Sequence, residues 1–121
     1  MSLVALSRDL LFATRILDAA DRHRIACDRV DGPADLPSPD EVDLVIVDWT
    51  ARGAAWGRDL SRWRESATVA ERPRIVLVGA HTDLEAHAAA RASGLGPMWA
   101  RSKLLAEIDS MLSQATHTHR R

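Results

Sequence analysis

Val42-Asp43-Leu44-Val45-Ile46-Val47-Asp48 is a β-branched apolar run that ends in a carboxylate. From Leu44 to Val47 it is apolar at every position instead of every second one, the pattern of a strand covered on both faces in a parallel sheet. Ile75-Val76-Leu77-Val78 repeats the pattern and stops at Gly79. Working outward, Leu3-Val4-Ala5-Leu6 is a compact strand, and Leu10 to Arg22 has helical spacing with no glycine or proline. Ile25-Ala26-Cys27 is a weaker second strand. Trp56 to Thr68 reads as a helix, and so does Asp83 to Ser93, with His81 or Thr82 placed to cap it and Gly94 to end it. Pro97-Met98-Trp99-Ala100 is an edge strand, and Leu104 to Gln114 is a last amphipathic helix.

Residues 31–41 hold Gly32, Pro33, Pro37 and Pro39, which limits any helix there to a turn or two. The chain therefore reads as five strand-then-helix units whose second helix is shortened or absent. One sheet edge should then be less well covered. Right-handed crossovers turn such a series into one α/β domain with helices on both faces of a parallel sheet. We place that domain at residues 1–114, followed by a C-terminal tail, 115–121.

Composition agrees. The 121 residues carry 16 Lys+Arg against 17 Asp+Glu, a net charge of −1. A nucleic-acid binder would show a basic excess, so that class is disfavoured. The single cysteine, Cys27, rules out an intramolecular disulfide framework and fits a reducing compartment. No apolar run approaches the ~20 residues that span a bilayer, and a cytoplasmic location is the expectation. No P-loop, GxGxxG, GxSxG or HExxH pattern is present. His81, His87, His117 and His119 lack a carboxylate or thiolate at metal-binding spacing and read as solvated. Trp56 and Trp63 lie seven apart with Leu60 between them, a face for packing against the sheet.

In a sheet of this kind the working end lies at the carboxyl ends of the strands. The residues placed there are Ser7, Arg8 and Asp9, then Asp48, then Gly79, Ala80 and His81, and finally Arg101. Asp48 reads either as a reactive carboxylate or as a strand-end acid paired with Arg8 or Arg101. Asp9 reads as a helix N-cap or as a weak metal ligand beside Asp48. Arg8 and Arg101 could also hold a small anion beside the amides of Gly79 and Ala80.

An aspartate closing the third strand of such a domain resembles the receiver domain of bacterial response regulators. Asp9-Leu10-Leu11-Phe12-Ala13, Asp43 to Asp48 with Ala51-Arg52-Gly53, Gly79-Ala80-His81-Thr82-Asp83 and Ala100-Arg101-Ser102 are similar to an atypical, pseudo-receiver group. The resemblance runs through about Gln114. It implies a flavodoxin-like three-layer sandwich with strand order 2-1-3-4-5, and it makes Asp48 the candidate phosphoacceptor. It also implies what is missing. Where the family has an acidic pair that helps bind Mg²⁺, this chain has Ser7 and Arg8. Where the family has a Ser or Thr after the fourth strand, it has Val78 or Gly79. Where the family has a lysine closing the fifth strand, it has Arg101.

The expectation is a stand-alone, non-enzymatic signalling module that is not phosphorylated, needs no cofactor and acts by protein-protein contact. Its partner would be a histidine kinase or another signalling protein, and a homodimer stays open. Two alternatives remain. One is a phosphorylatable single-domain response regulator using Mg²⁺ and Asp48. The other, of a different class, is a small-molecule or anion-sensing flavodoxin-like protein.

Overall fold

The computed structural model describes residues 2–118, with side chains through Gln114. Five strands, β1 (Ser2–Leu6), β2 (Ala26–Val30), β3 (Leu44–Asp48), β4 (Arg74–Gly79) and β5 (Met98–Ala100), form one sheet in the order β2-β1-β3-β4-β5. Every pairing is parallel. The α-helices are α1 (Leu10–Arg22), α2 (Trp56–Glu65), α3 (Leu84–Ser93) and α4 (Arg101–Thr118).

The all-apolar runs are explained by two separate cores. Leu44 and Ile46 join Phe12, Ile16, Leu104 and Ile108 under α1 and α4. Val45 and Val47 point the other way, to Leu60, Ala86 and Ala90 under α2 and α3. Successive side chains of a strand alternate faces, so a doubly covered strand must be apolar throughout. No residue of Leu44 to Val47 or Ile75 to Val78 is more than 6% exposed.

Element boundaries differ from expectation where the local signal was not apolar. The second strand runs from Ala26 through Asp28 and Arg29 to Val30, with Ala26, Asp28 and Arg29 exposed. An edge strand half in water needs no apolar run to announce it. Asp83, not His81 or Thr82, caps α3 by accepting from the Ala86 amide, while Gly94 ends the helix at φ +74°. Helix α2 stops at Glu65, short of Thr68, and α4 starts at Arg101 directly after β5. The expected tail is in part helix: the backbone of α4 continues through Thr118. Residues 119–121 and the His117 side chain lie outside the described residues.

A second α-helix is present, without clear shortening, but it follows β3 and not β2: α2 has 10 residues. The connection from β2 to β3 contains two 3-10 turns, Pro33–Asp35 and Pro39–Glu41. The neighbouring edge is not left bare, because Val30 and Leu36 pack with Trp56 and Trp63 against the α2/α3 core. Trp63 ties α2 to this connection, its Nε1–H donating to the Pro37 carbonyl.

Between α1 and β2 the chain turns at Arg24, whose φ is +56°. The left-handed region costs an L-residue about 1 kcal/mol or more, and glycine enters it freely. The Arg24 side chain is exposed, so little packing is at stake. Arg24→Gly should therefore raise stability by about 0.5–1 kcal/mol, after the larger freedom of glycine in the unfolded chain is deducted. Urea denaturation of the two proteins checks it, and a loss of stability would show that the turn carries no strain.

Candidate functional site

The carboxyl ends of β1, β3 and β4 and the start of α4 converge on Asp48. This carboxylate is 3% exposed, and Ser7 beside it is 2% exposed. Ser7 Oγ donates to Asp48 Oδ2 at 3.0 Å and accepts from the Asp9 amide at 3.1 Å. Arg101, the first residue of α4, reaches back over the sheet end. Its Nη2 donates to both oxygens of Asp48 at 3.2 Å, and its Nη1 donates to Asp9 Oδ2 at 2.9 Å. The other oxygen of Asp9 caps α1 by accepting from the Phe12 amide at 3.2 Å. Phe12 also lies under the guanidinium, 4.6 Å from ring centroid to Cζ. One planar cation thus ties together the start of α1, the end of β3 and the start of α4.

The electrostatics follow from these contacts. The Asp9 carboxyl is held below the usual aspartate value by the Phe12 amide first and then by the hydrogen bond from Arg101. Burial works against the charge on Arg101. The hydrogen bond to Asp9 and the field of Asp48 outweigh it, so the guanidinium is held still more firmly protonated than usual.

The structure brings Ser7, Asp9, Asp48 and Arg101 together and leaves Arg8 out. Arg8 is exposed, and its charge acts on Asp31. The second arginine at the sheet end is instead Arg29, next to the last residue of β2, whose Nη1 donates to the Ser7 carbonyl at 3.0 Å and to Asp31 at 2.7 Å. Sequence reading missed Arg29 because it ended the second strand at Cys27. The Cys27 thiol is half-buried, and burial first, then Asp28, pushes its pKa up to about 11.

Gly79 and Ala80 border an open groove of about 420 Å³ with Thr50, His81, Ala100, Arg101 and Ser102. Its floor is closed at Gly79. A Cβ there would lie 2.6 Å from Thr50 Oγ1 and 2.7 Å from Met98 Sδ. Thr50 was not singled out in the sequence, and no local pattern would have placed its hydroxyl over the end of β4. A larger depression of about 720 Å³, lined by Trp49, Arg52, Gly57, Asp83 and Ser93 among others, lies beside α2 and α3 and does not include Asp48.

The donor set does not fit Mg²⁺. That ion asks for several oxygen ligands in near-octahedral array. Here Ser7 spends its hydroxyl on Asp48, Arg8 is exposed, and the two carboxylates in reach, Asp9 and Asp48, share one guanidinium. Among the described residues no group of three His, Cys, Asp or Glu side chains is arranged to hold a metal. What the arrangement does is lock strand and helix ends together.

No protein-family model and no curated protein matches the sequence. Among solved structures the chain is similar to the signal receiver domain of a protein described as a Luxo repressor, from Vibrio parahaemolyticus. The TM-score is 0.65 and the identity 10%, over 97% of this chain and 93% of that one. At that identity the likeness is one of fold: a five-stranded parallel α/β sandwich with strand order 2-1-3-4-5, built like a receiver domain.

Proposed function

We propose that the protein is a receiver-like signalling module of atypical type that takes no phosphoryl group and acts by contact with another protein. The observation that carries this reading is the Arg101 bridge. Phosphoryl transfer to a carboxylate needs an unencumbered oxygen in line with the donor and a cation that neutralises charge on the moving group. Both oxygens of Asp48 are engaged by Arg101, one of them also by Ser7, and the side chain is buried. The cation present belongs to the protein and is fixed to the acceptor, not to the incoming phosphate. The partner that suits this reading is a histidine kinase or another signalling protein. Among the described residues no helix is long and apolar enough to cross a membrane.

The test is incubation with acetyl phosphate and MgCl₂, read by intact mass under conditions that preserve acyl phosphates. The expected result is an unmodified chain. An acid-labile phosphoryl adduct that disappears in Asp48→Asn would replace this reading with that of a phosphorylatable single-domain response regulator.

A further inference from the structure

Residues 31–43 cross from β2 to β3 with two 3-10 turns and an extended piece between them. Leu36 (φ −66°, ψ 139°) and Ser38 (φ −55°, ψ 134°) flank Pro37 with backbone angles close to polyproline II. That conformation forms no hydrogen bonds within itself, so its carbonyls are open to outside donors. The Ser38 carbonyl accepts from the Glu41 amide of the next turn at 2.9 Å, and the Pro37 carbonyl accepts from Trp63 Nε1–H at 2.8 Å. Trp56, seven residues earlier on α2, lies alongside Gly32, where a Cβ would meet its ring at 4.0 Å. Leu36, Trp56 and Trp63 each pack against the α2/α3 core. Grooves that read proline-rich segments use the same parts, aromatic walls against a preformed polyproline-II backbone. In this protein reader and read segment belong to one chain.

We propose that α2 carries a reading face, made by Trp63 with Trp56 alongside, which the extended residues 36–38 occupy as a displaceable strap between two 3-10 turns and which a proline-rich segment of a partner protein takes in its place. The seated segment defines the chemistry of the incoming one: an apolar residue, then proline, with a free carbonyl for the indole. The strap is lightly held. Ala34, Asp35, Ser38 and Asp40 are exposed, Leu36 and Pro37 are half-buried, and Pro39 is buried. Segments with few buried anchors open locally without unfolding the sheet. A tethered segment competes at an effective concentration in the millimolar range, so a free one gains access chiefly when the strap is loosened. The surface involves neither Asp48 nor Arg101, so its test is independent of the phosphorylation test.

The full chain, ¹⁵N-labelled, is titrated with a synthetic peptide copying residues 33–40, following the indole N–H resonances of Trp56 and Trp63 by NMR. Loss of one peak in Trp63→Phe assigns the Trp63 signal. Pro37→Gly keeps the carbonyl but frees the strap backbone, and Ser38→Gly serves if that variant does not fold. In the loosened variant the peptide should shift both indoles with an apparent Kd roughly threefold to fivefold below that of the unaltered chain. The Trp56 response should weaken about tenfold when Trp63→Phe is added, as expected for loss of a buried hydrogen bond and its packing. The proposal is overturned if the folded, loosened variant shows no shift at roughly ten times the millimolar effective concentration. Equal affinity for the loosened and unaltered chains also overturns it, as does equal affinity for a peptide with its prolines changed to alanine.

Discussion

Arg101→Ala is expected to destabilise the protein by about 3 kcal/mol, because it leaves a buried carboxylate with one hydroxyl for company. Asp48 is 3% exposed at the end of a central strand, and Ser7 supplies a single donor. Asp9 loses a partner as well but keeps its cap on α1. Stacking of the guanidinium on Phe12 adds a smaller loss. Arg101→Lys should recover part of the deficit, since an ammonium restores charge but cannot serve Asp9 and Asp48 from one rigid plane. Combining Arg101→Ala with Asp48→Asn should cost clearly less than the sum of the two single changes, because the second removes the charge that the first strands. Urea denaturation of the four proteins measures this coupling. Additive losses, or a cost below about 0.5 kcal/mol for Arg101→Ala, would show a solvated surface contact and remove the ground for reading the site as a lock.

Gly79→Ser, which would add the hydroxyl that receiver domains carry after their fourth strand, is expected to cost about 2 kcal/mol through overpacking. The new Cβ would sit 2.6 Å from Thr50 Oγ1 and 2.7 Å from Met98 Sδ. Thr50 is exposed and its hydroxyl can swing away. Met98 is 5% exposed and packs with Leu77 and Leu95, so its sulfur can move only by disturbing that core. Thr50→Ala should therefore relieve part of the loss in the double variant and not all of it. Thermal and urea unfolding read both effects. An unchanged midpoint for Gly79→Ser would mean that the strand end has room for the hydroxyl and that its absence is not enforced by packing.

Much of the site was legible because its members sit at ends of strands that announce themselves. Asp48 closes an all-apolar run, and Asp9 precedes an uninterrupted helix, so their positions follow from local pattern. Arg101 was placed at the same end by counting strands, and it does reach Asp48 across 53 residues of chain. Arg8 shows where that logic stops. Strand position brought it to the sheet end, but the chain turns out of β1 between Ser7 and Asp9, and the side chain in between faces water. Arg29 was hidden for the opposite reason: an exposed edge strand leaves no apolar trace, so neither the length of β2 nor the residue near its end could be read.

Local pattern was enough to specify the class of the fold, its two doubly covered central strands, α1 with its Asp9 cap, the end of α3 at Gly94, and the absence of a regular helix among Pro33, Pro37 and Pro39. These are consequences of periodicity and of backbone restrictions acting within a few residues. Long-range packing settles that Arg101 and not Arg8 holds Asp48, that Ser7 joins Asp48 to the Asp9 amide, that Thr50 and Met98 close the space beside Gly79, and that Trp63 of α2 is bonded to Pro37 in the β2–β3 connection. Each of these depends on where a side chain points after the backbone has turned, and on which atoms then come within bonding distance from elements far apart in the chain.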